Sequence, residues 1–273
     1  MQTPRTILLH LDSSARTPER IKLARQLADD FEAEVIGQPC LLTALVSYPF
    51  AIEGAAATIA LMEDLDQEAI EKMRSTFRQL VGESERLRWA EPLADGPWGF
   101  ARRALYTDLM ILGQRDADDP AAVQLPADFV SSVLLESGRP ALVLPYAGAI
   151  GPVGRNVLVA WKETREAARA LSAALPWLQR ARHVHGVCFG RATDAPLRSL
   201  QGYLRVHGVD ITVHAGGPEG NDVGSHLLSM AADVGADLLV MGCYGHRRAR
   251  EWVLGGASHT VLASMTLPVL LSH

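Results

Sequence analysis

The chain repeats itself, and that repeat limits its fold more than any other feature. The segment TILLHLDSSARTPERIKLARQLA, beginning at Thr6, follows the same plan as NVLVAWKETREAARALSAALPWL, beginning at Asn156. Each is a short run of β-branched residues and leucine, then a polar turn, then a stretch with helical periodicity. Further along, DLMILG from Asp108 matches DLLVMG from Asp237, and RPALVLP from Arg139 matches LPVLLSH from Leu267. Three matched pieces in the same order mark two tandem copies.

Within each copy strands alternate with helices. The second copy reads as strand NVLVAW, helix REAARALSAALPWL, strand HVHGVCF, helix PLRSLQGYLRV and strand DITVHAG. Helix DVGSHLLSMAADVG, strand DLLVMG, a helix through SHTVLASM and strand PVLLSH follow. The apolar runs are short and nearly unbroken, as parallel strands covered on both faces require. The pattern predicts an α/β fold of two tandem doubly wound parallel sheets. The expected domains are 1–147 and 152–273, divided by the Gly/Pro-rich stretch from Ala147 to Gly154. The first copy inserts a long helical segment from Ala55 onward, in which Ile59, Met62, Leu65 and Ile70 keep roughly helical spacing. PALVLP and PVLLSH, the last strands of their copies, should meet, since each would otherwise be an open edge. A pseudo-two-fold axis is then expected between the copies.

Composition closes off several classes. No apolar run reaches the roughly 18 residues of a membrane span. The N-terminal apolar stretch is too short for a signal-peptide core of about 7–15 residues. Three cysteines, Cys40, Cys188 and Cys243, are odd in number and lack metal-ligand spacing, which argues for a reduced, cytoplasmic chain. The net charge of −5 is unevenly spread: residues 151–273 hold 12 basic against 9 acidic residues, and eight of the nine histidines. That balance suits an anionic ligand in the second copy. No dense basic stripe or binding motif supports a nucleic-acid partner.

The stretch GCYGHRRAREWVLGGASHTVL, from Gly242, follows the fourth strand of the second copy. Open α/β sheets bind ligands beyond the carboxyl ends of their strands. Backbone N–H groups in such a glycine loop, and at the next helix start, can cradle phosphate. His246, Arg247, Arg248 and Arg250 add charge that suits phosphate oxygens, and Ser258 offers a hydroxyl and an N-cap acceptor. Neither G-x-x-x-x-G-K-[ST] nor a G-x-G-x-x-G after a first strand is present.

This arrangement resembles the universal stress protein family, whose nucleotide-binding members carry G-x2-G-x9-G-[ST] after the fourth strand. Gly242, Gly245 and Gly255 match its three glycines, and the resemblance spans nearly the whole chain as two tandem copies. It implies a five-stranded, Rossmann-like parallel sheet per domain and ATP or AMP held in the cleft as a regulatory ligand of a stress-response protein. It also implies dimer-like pairing of domains, here an intramolecular pseudo-dimer, with a homodimer as a further option. The expected contacts are Ala160, Trp161, Lys162 and Val187 for the nucleoside end. Met241, Gly242, Gly245, His246, Gly255, Gly256, Ala257 and Ser258 are expected for the phosphate end.

Two residues depart from the family. Gly256 stands where Ser or Thr follows the third glycine, and Lys162 replaces the acid at the end of the first strand. The first copy keeps that acid as Asp12 but has GQRDADDPAAVQLPADF for a loop, keeping only Gly113 and adding four aspartates that repel phosphate. Nucleotide is therefore expected in the second copy alone. The competing reading is a ligand-free interaction scaffold whose glycine stretch is a long turn. Lys162 either contacts phosphate or ribose or caps a strand end in solvent. His183 and His185 share a strand face and could seed a metal site, but no third ligand has convincing spacing and no metal is required. Cys243, between two loop glycines, is either a thiol whose pKa nearby arginines lower or, as the preferred reading, an ordinary loop position. No catalytic residue is assigned: Ser258 lacks a nucleophile elbow, and slow ATP hydrolysis is the most the resemblance implies.

Overall fold

The structure is a computed structural model that describes residues 3–44, 56–93, 95–190, 193–218, 222–245 and 256–273. Pro4–Arg139 form one compact unit, and Pro140–His273 form the bulk of the other.

The first unit runs β1 (Thr6–Leu11), α1 (Thr17–Phe31), β2 (Glu34–Pro39), α2 (Ala56–Val81), β3 (Leu87–Trp89), α3 (Gly99–Ala104), β4 (Leu109–Gly113) and α4 (Phe129–Ser137). Its strands lie in the order β3-β2-β1-β4, all parallel. Ile7, Leu8 and Leu9 on β1 and Met110 and Ile111 on β4 are fully buried. Consecutive burial of this kind needs cover on both faces, which explains the unbroken apolar runs. The long insertion is helical, but only its second half is packed. Met73, Phe77 and Val81 are buried, whereas Leu61 and Leu65 are exposed and Ile59, Met62 and Ile70 are partly covered.

The second unit contains β5 (Ala141–Leu144), β6 (Asn156–Trp161), α5 (Arg165–Leu178), β7 (His183–Cys188), α6 (Asp194–Val206), β8 (Thr212–Ala215), α7 (Val223–Asp233), β9 (Leu238–Gly242), α8 (Ala257–Ser264) and β10 (Val269–Ser272). The strand order is β5-β10-β9-β6-β7-β8. The five strands of the second copy are mutually parallel, and β5 joins them antiparallel to β10, with Leu142 opposite Leu270. The last strands of the two copies do meet. Compactness divides the chain just before β5, while the sequence repeat places the division after it.

Both units use one device to set the start of their central strand. Asp108, just ahead of β4, accepts the N–H groups of Arg5 and Thr6 and the Thr6 hydroxyl, each at 2.9 Å. Asp237, just ahead of β9, accepts the N–H groups of Gly154 at 2.8 Å and of Arg155 and Asn156 at 3.1 Å. A carboxylate thereby satisfies backbone donors that the strand ladder leaves open. Among the described residues no helix is long and apolar enough to cross a membrane.

Candidate nucleotide site

The carboxyl ends of β6, β7 and β9 converge as a doubly wound sheet requires. Ala160 lies in register with Val187 on one side and Met241 on the other, so three of the expected contact residues form one row. Val187 and Met241 are buried in the sheet and Ala160 is half-buried. Trp161 follows, half-buried beside Cys188, and Lys162 is exposed at the strand end.

β9 ends at Gly242, and the chain turns through Tyr244, which holds a left-handed φ of 55°. Gly256 opens α8 with φ 122°, a backbone conformation that favours glycine. The Tyr244 N–H donates to the Ser258 hydroxyl at 3.4 Å, which brings the loop start and the first turn of α8 together. Ser258 therefore joins loop to helix; the N-cap position belongs to Gly256 and has no side-chain cap. This corrects the expected capping role. Gly242, Gly245, Gly256, Ala257 and Ser258 are thus placed at one sheet edge. His246, Arg247, Arg248, Arg250 and Gly255 lie outside the described residues.

The glycines answer to a neighbour that the sequence did not suggest. A side chain on Gly242 would run into the first turn of α5, 2.6 Å from the Glu166 carbonyl carbon and 2.9 Å from the Ala167 Cα. Gly242 is small because a helix backbone packs against it. At Gly245 the nearest atom to an added Cβ is the Glu166 carboxylate oxygen, at 2.9 Å. Glu166 is buried in the first turn of α5, where Thr164 caps Ala167 and Arg165 donates to its carboxylate. Burial alone would raise its pKa, but the Arg165 hydrogen bond, its own N–H and Thr164 outweigh burial and hold it below the ordinary value. A negative charge therefore stands against the glycine loop at neutral pH. Burial, with Glu166 nearby, pushes the Cys243 thiol up to about 12, so it is inert. The sequence marks Glu166 only as an acid in the first turn of a helix, two residues after the capping threonine, and not as a neighbour of the glycines.

The equivalent cleft of the first unit is filled by its own side chains. Asp12 accepts from the guanidinium of buried Arg20, from Thr17, and from the Ser14 N–H at 3.0 Å and hydroxyl at 2.6 Å. Burial opposes ionisation, yet Arg20 and the other partners hold Asp12 well below the usual carboxylate range. Arg20 also donates to the His10 carbonyl at 3.2 Å, and its guanidinium covers Gly113, where any side chain would collide with it. Of the loop aspartates, Asp119 accepts the Ala121 N–H at 2.8 Å and the Ala15 N–H at 3.2 Å, tying the loop to the turn after β1. Asp12 is a structural ion-pair partner of Arg20.

Comparison with known proteins agrees with this architecture. The Universal stress protein family matches residues 191–273. A universal stress protein from Archaeoglobus fulgidus superposes with a TM-score of 0.75 at 16% identity, covering 99% of this chain and 96% of that one. A protein of unknown function from Pseudomonas aeruginosa superposes with a TM-score of 0.58 at 18% identity, covering 98% of this chain and 92% of that one. At these identities the likeness is one of fold. Among curated proteins none matches the sequence.

Proposed function

We propose, for a chain whose residues 191–273 belong to the universal stress protein family and whose fold is that family's throughout, a stress-response role based on binding an adenine nucleotide, ATP or AMP, in the second unit. The observation that carries this reading is the junction of Tyr244 with Ser258. It sets the glycine loop and the start of α8 together at the carboxyl edge of the sheet, beside the Ala160 row. Backbone donors at such a junction suit phosphate oxygens. The nucleoside end would rest near Ala160 and Trp161, with Lys162 supplying charge in place of a ribose acceptor. The first unit is left out because Arg20 already neutralises Asp12 and covers Gly113. A reduced cytoplasmic setting suits three free, buried thiols.

One observation favours the second reading, a scaffold without nucleotide: the Glu166 carboxylate faces Gly245, where phosphate would approach. Calorimetric titration with ATP and AMP separates the two. The nucleotide reading predicts saturable binding by the intact chain, lost in Gly245→Val while thermal unfolding stays cooperative, since binding to the folded state alone stabilises it by mass action. Unchanged affinity in Gly245→Val rejects the site, and heatless titrations with both nucleotides favour the scaffold.

A further inference from the structure

The second unit holds a pair of histidines on strands that carry none of the glycine loop. We propose that His185 on β7 and His214 on β8 form a chelating site for a divalent transition-metal ion of the Zn2+ type.

The register places Thr212 opposite His185 and His214 opposite Val187, so the two rings are diagonal neighbours on one face of the sheet. His185 Nδ1 lies 3.0 Å from His214 Nε2, with ring centroids 5.2 Å apart and an interplanar angle of 31°. Two imidazole nitrogens on a tetrahedral zinc, each at about 2.0–2.1 Å, stand roughly 3.3 Å apart. The pair needs to open by only a few tenths of an ångström to accept the ion. Imidazole is a favoured ligand for zinc, copper and nickel.

Without metal the contact is an N–H···N hydrogen bond, one ring donating and the other accepting. On metal entry the donor ring moves its proton from the contact nitrogen to its far nitrogen. Each neutral ring then keeps one N–H and gives one lone pair, so no net proton or electron is exchanged. Both rings are half-buried, which leaves water free to complete the coordination. Among the described residues no third histidine, cysteine or acidic side chain completes a group with this pair, so these residues supply two ligands. The partner of His185 comes from the neighbouring strand rather than from His183, the residue two positions earlier that sequence spacing suggested.

Zn2+ titration of the intact chain by calorimetry, with long-range 1H–15N spectra of the histidine rings, tests the assignment. The expected result is one equivalent of Zn2+, with shifts at His185 Nδ1 and His214 Nε2. His185→Gln or His214→Gln should each weaken it at least about tenfold, a loss seen even when a residue that only orients a ligand is removed. His207→Gln should leave it unchanged. No Zn2+ uptake, uptake that survives both substitutions, or ring nitrogens that stay unshifted in the unsubstituted chain would overturn the proposal.

Discussion

Gly242 and Gly245 look equivalent in the loop motif but answer to different constraints. An added Cβ at Gly242 meets the backbone of α5, which cannot yield without moving a helix. At Gly245 it meets the end of a flexible carboxylate side chain, which can swing away. Gly242→Ala should therefore cost about 1–3 kcal/mol, as overpacking does. Gly245→Ala should stay within about 0.5 kcal/mol, as at an ordinary surface position. Urea unfolding of both variants checks the contrast. His10 carries a second prediction. It is fully buried against Phe100 and Phe129, and burial lowers its pKa to about 3, with Asp12 opposing and Arg20 assisting. A depressed pKa means the unfolded chain binds the proton more readily. The stability His10 contributes is thus present above its ordinary value of 6.5 and lost as pH falls towards 3. Roughly 2 kcal/mol should disappear between pH 6.5 and 5, at 1.36 kcal/mol per pKa unit. Denaturant titrations across that range should show the slope flattened in His10→Leu. Such residues were legible only in part. The glycine spacing is visible in sequence, but the pressure of Glu166 and α5 on it comes from contacts about 80 positions apart along the chain.

Elements were more legible, because periodicity and turn chemistry are local. The segment REAARALSAALPWL coincides with α5, with Thr164 as its cap. α2 shows the limit of that reading: helical spacing runs along its length, yet Leu61 and Leu65 stay exposed while Met73, Phe77 and Val81 are buried. Periodicity reports a possible face, and tertiary packing decides how much of it is used. The aspartates ahead of β4 and β9 were visible only as matched letters in DLMILG and DLLVMG. Their role appears once the strand starts are adjacent. Asp237→Ala removes a charged acceptor from three backbone donors and should cost about 1.5–3 kcal/mol. Asp237→Asn should recover part of that loss, since its carbonyl still accepts. Thermal unfolding of the two variants measures the difference, and equal stability of both with the parent would reject the strand-start role.

At the scale of the molecule, the repeat predicted most of what is seen. Two doubly wound units follow from matched strands in matched order, and the meeting of β5 with β10 follows from the need to cover open edges. The domain boundary differs from expectation: pairing with β10 draws β5 into the second compact unit, which begins just before it, whereas the repeat places the division after it. The copies have also diverged in chemistry. One cleft is closed by Arg20, Asp12 and their hydroxyl partners, and the other presents Gly242, Gly245, Gly256 and Ser258 at its edge. On the proposed reading, nucleotide enters the second cleft only. Hydrogen–deuterium exchange of the intact chain with and without saturating ATP tests it most directly, since bound regions open less often. Slower exchange is expected at residues 158–164, 242–245 and 256–262, with residues 8–16 and 113–124 unchanged. Protection at 8–16 or 113–124, or no protection anywhere at saturating ATP, would contradict it.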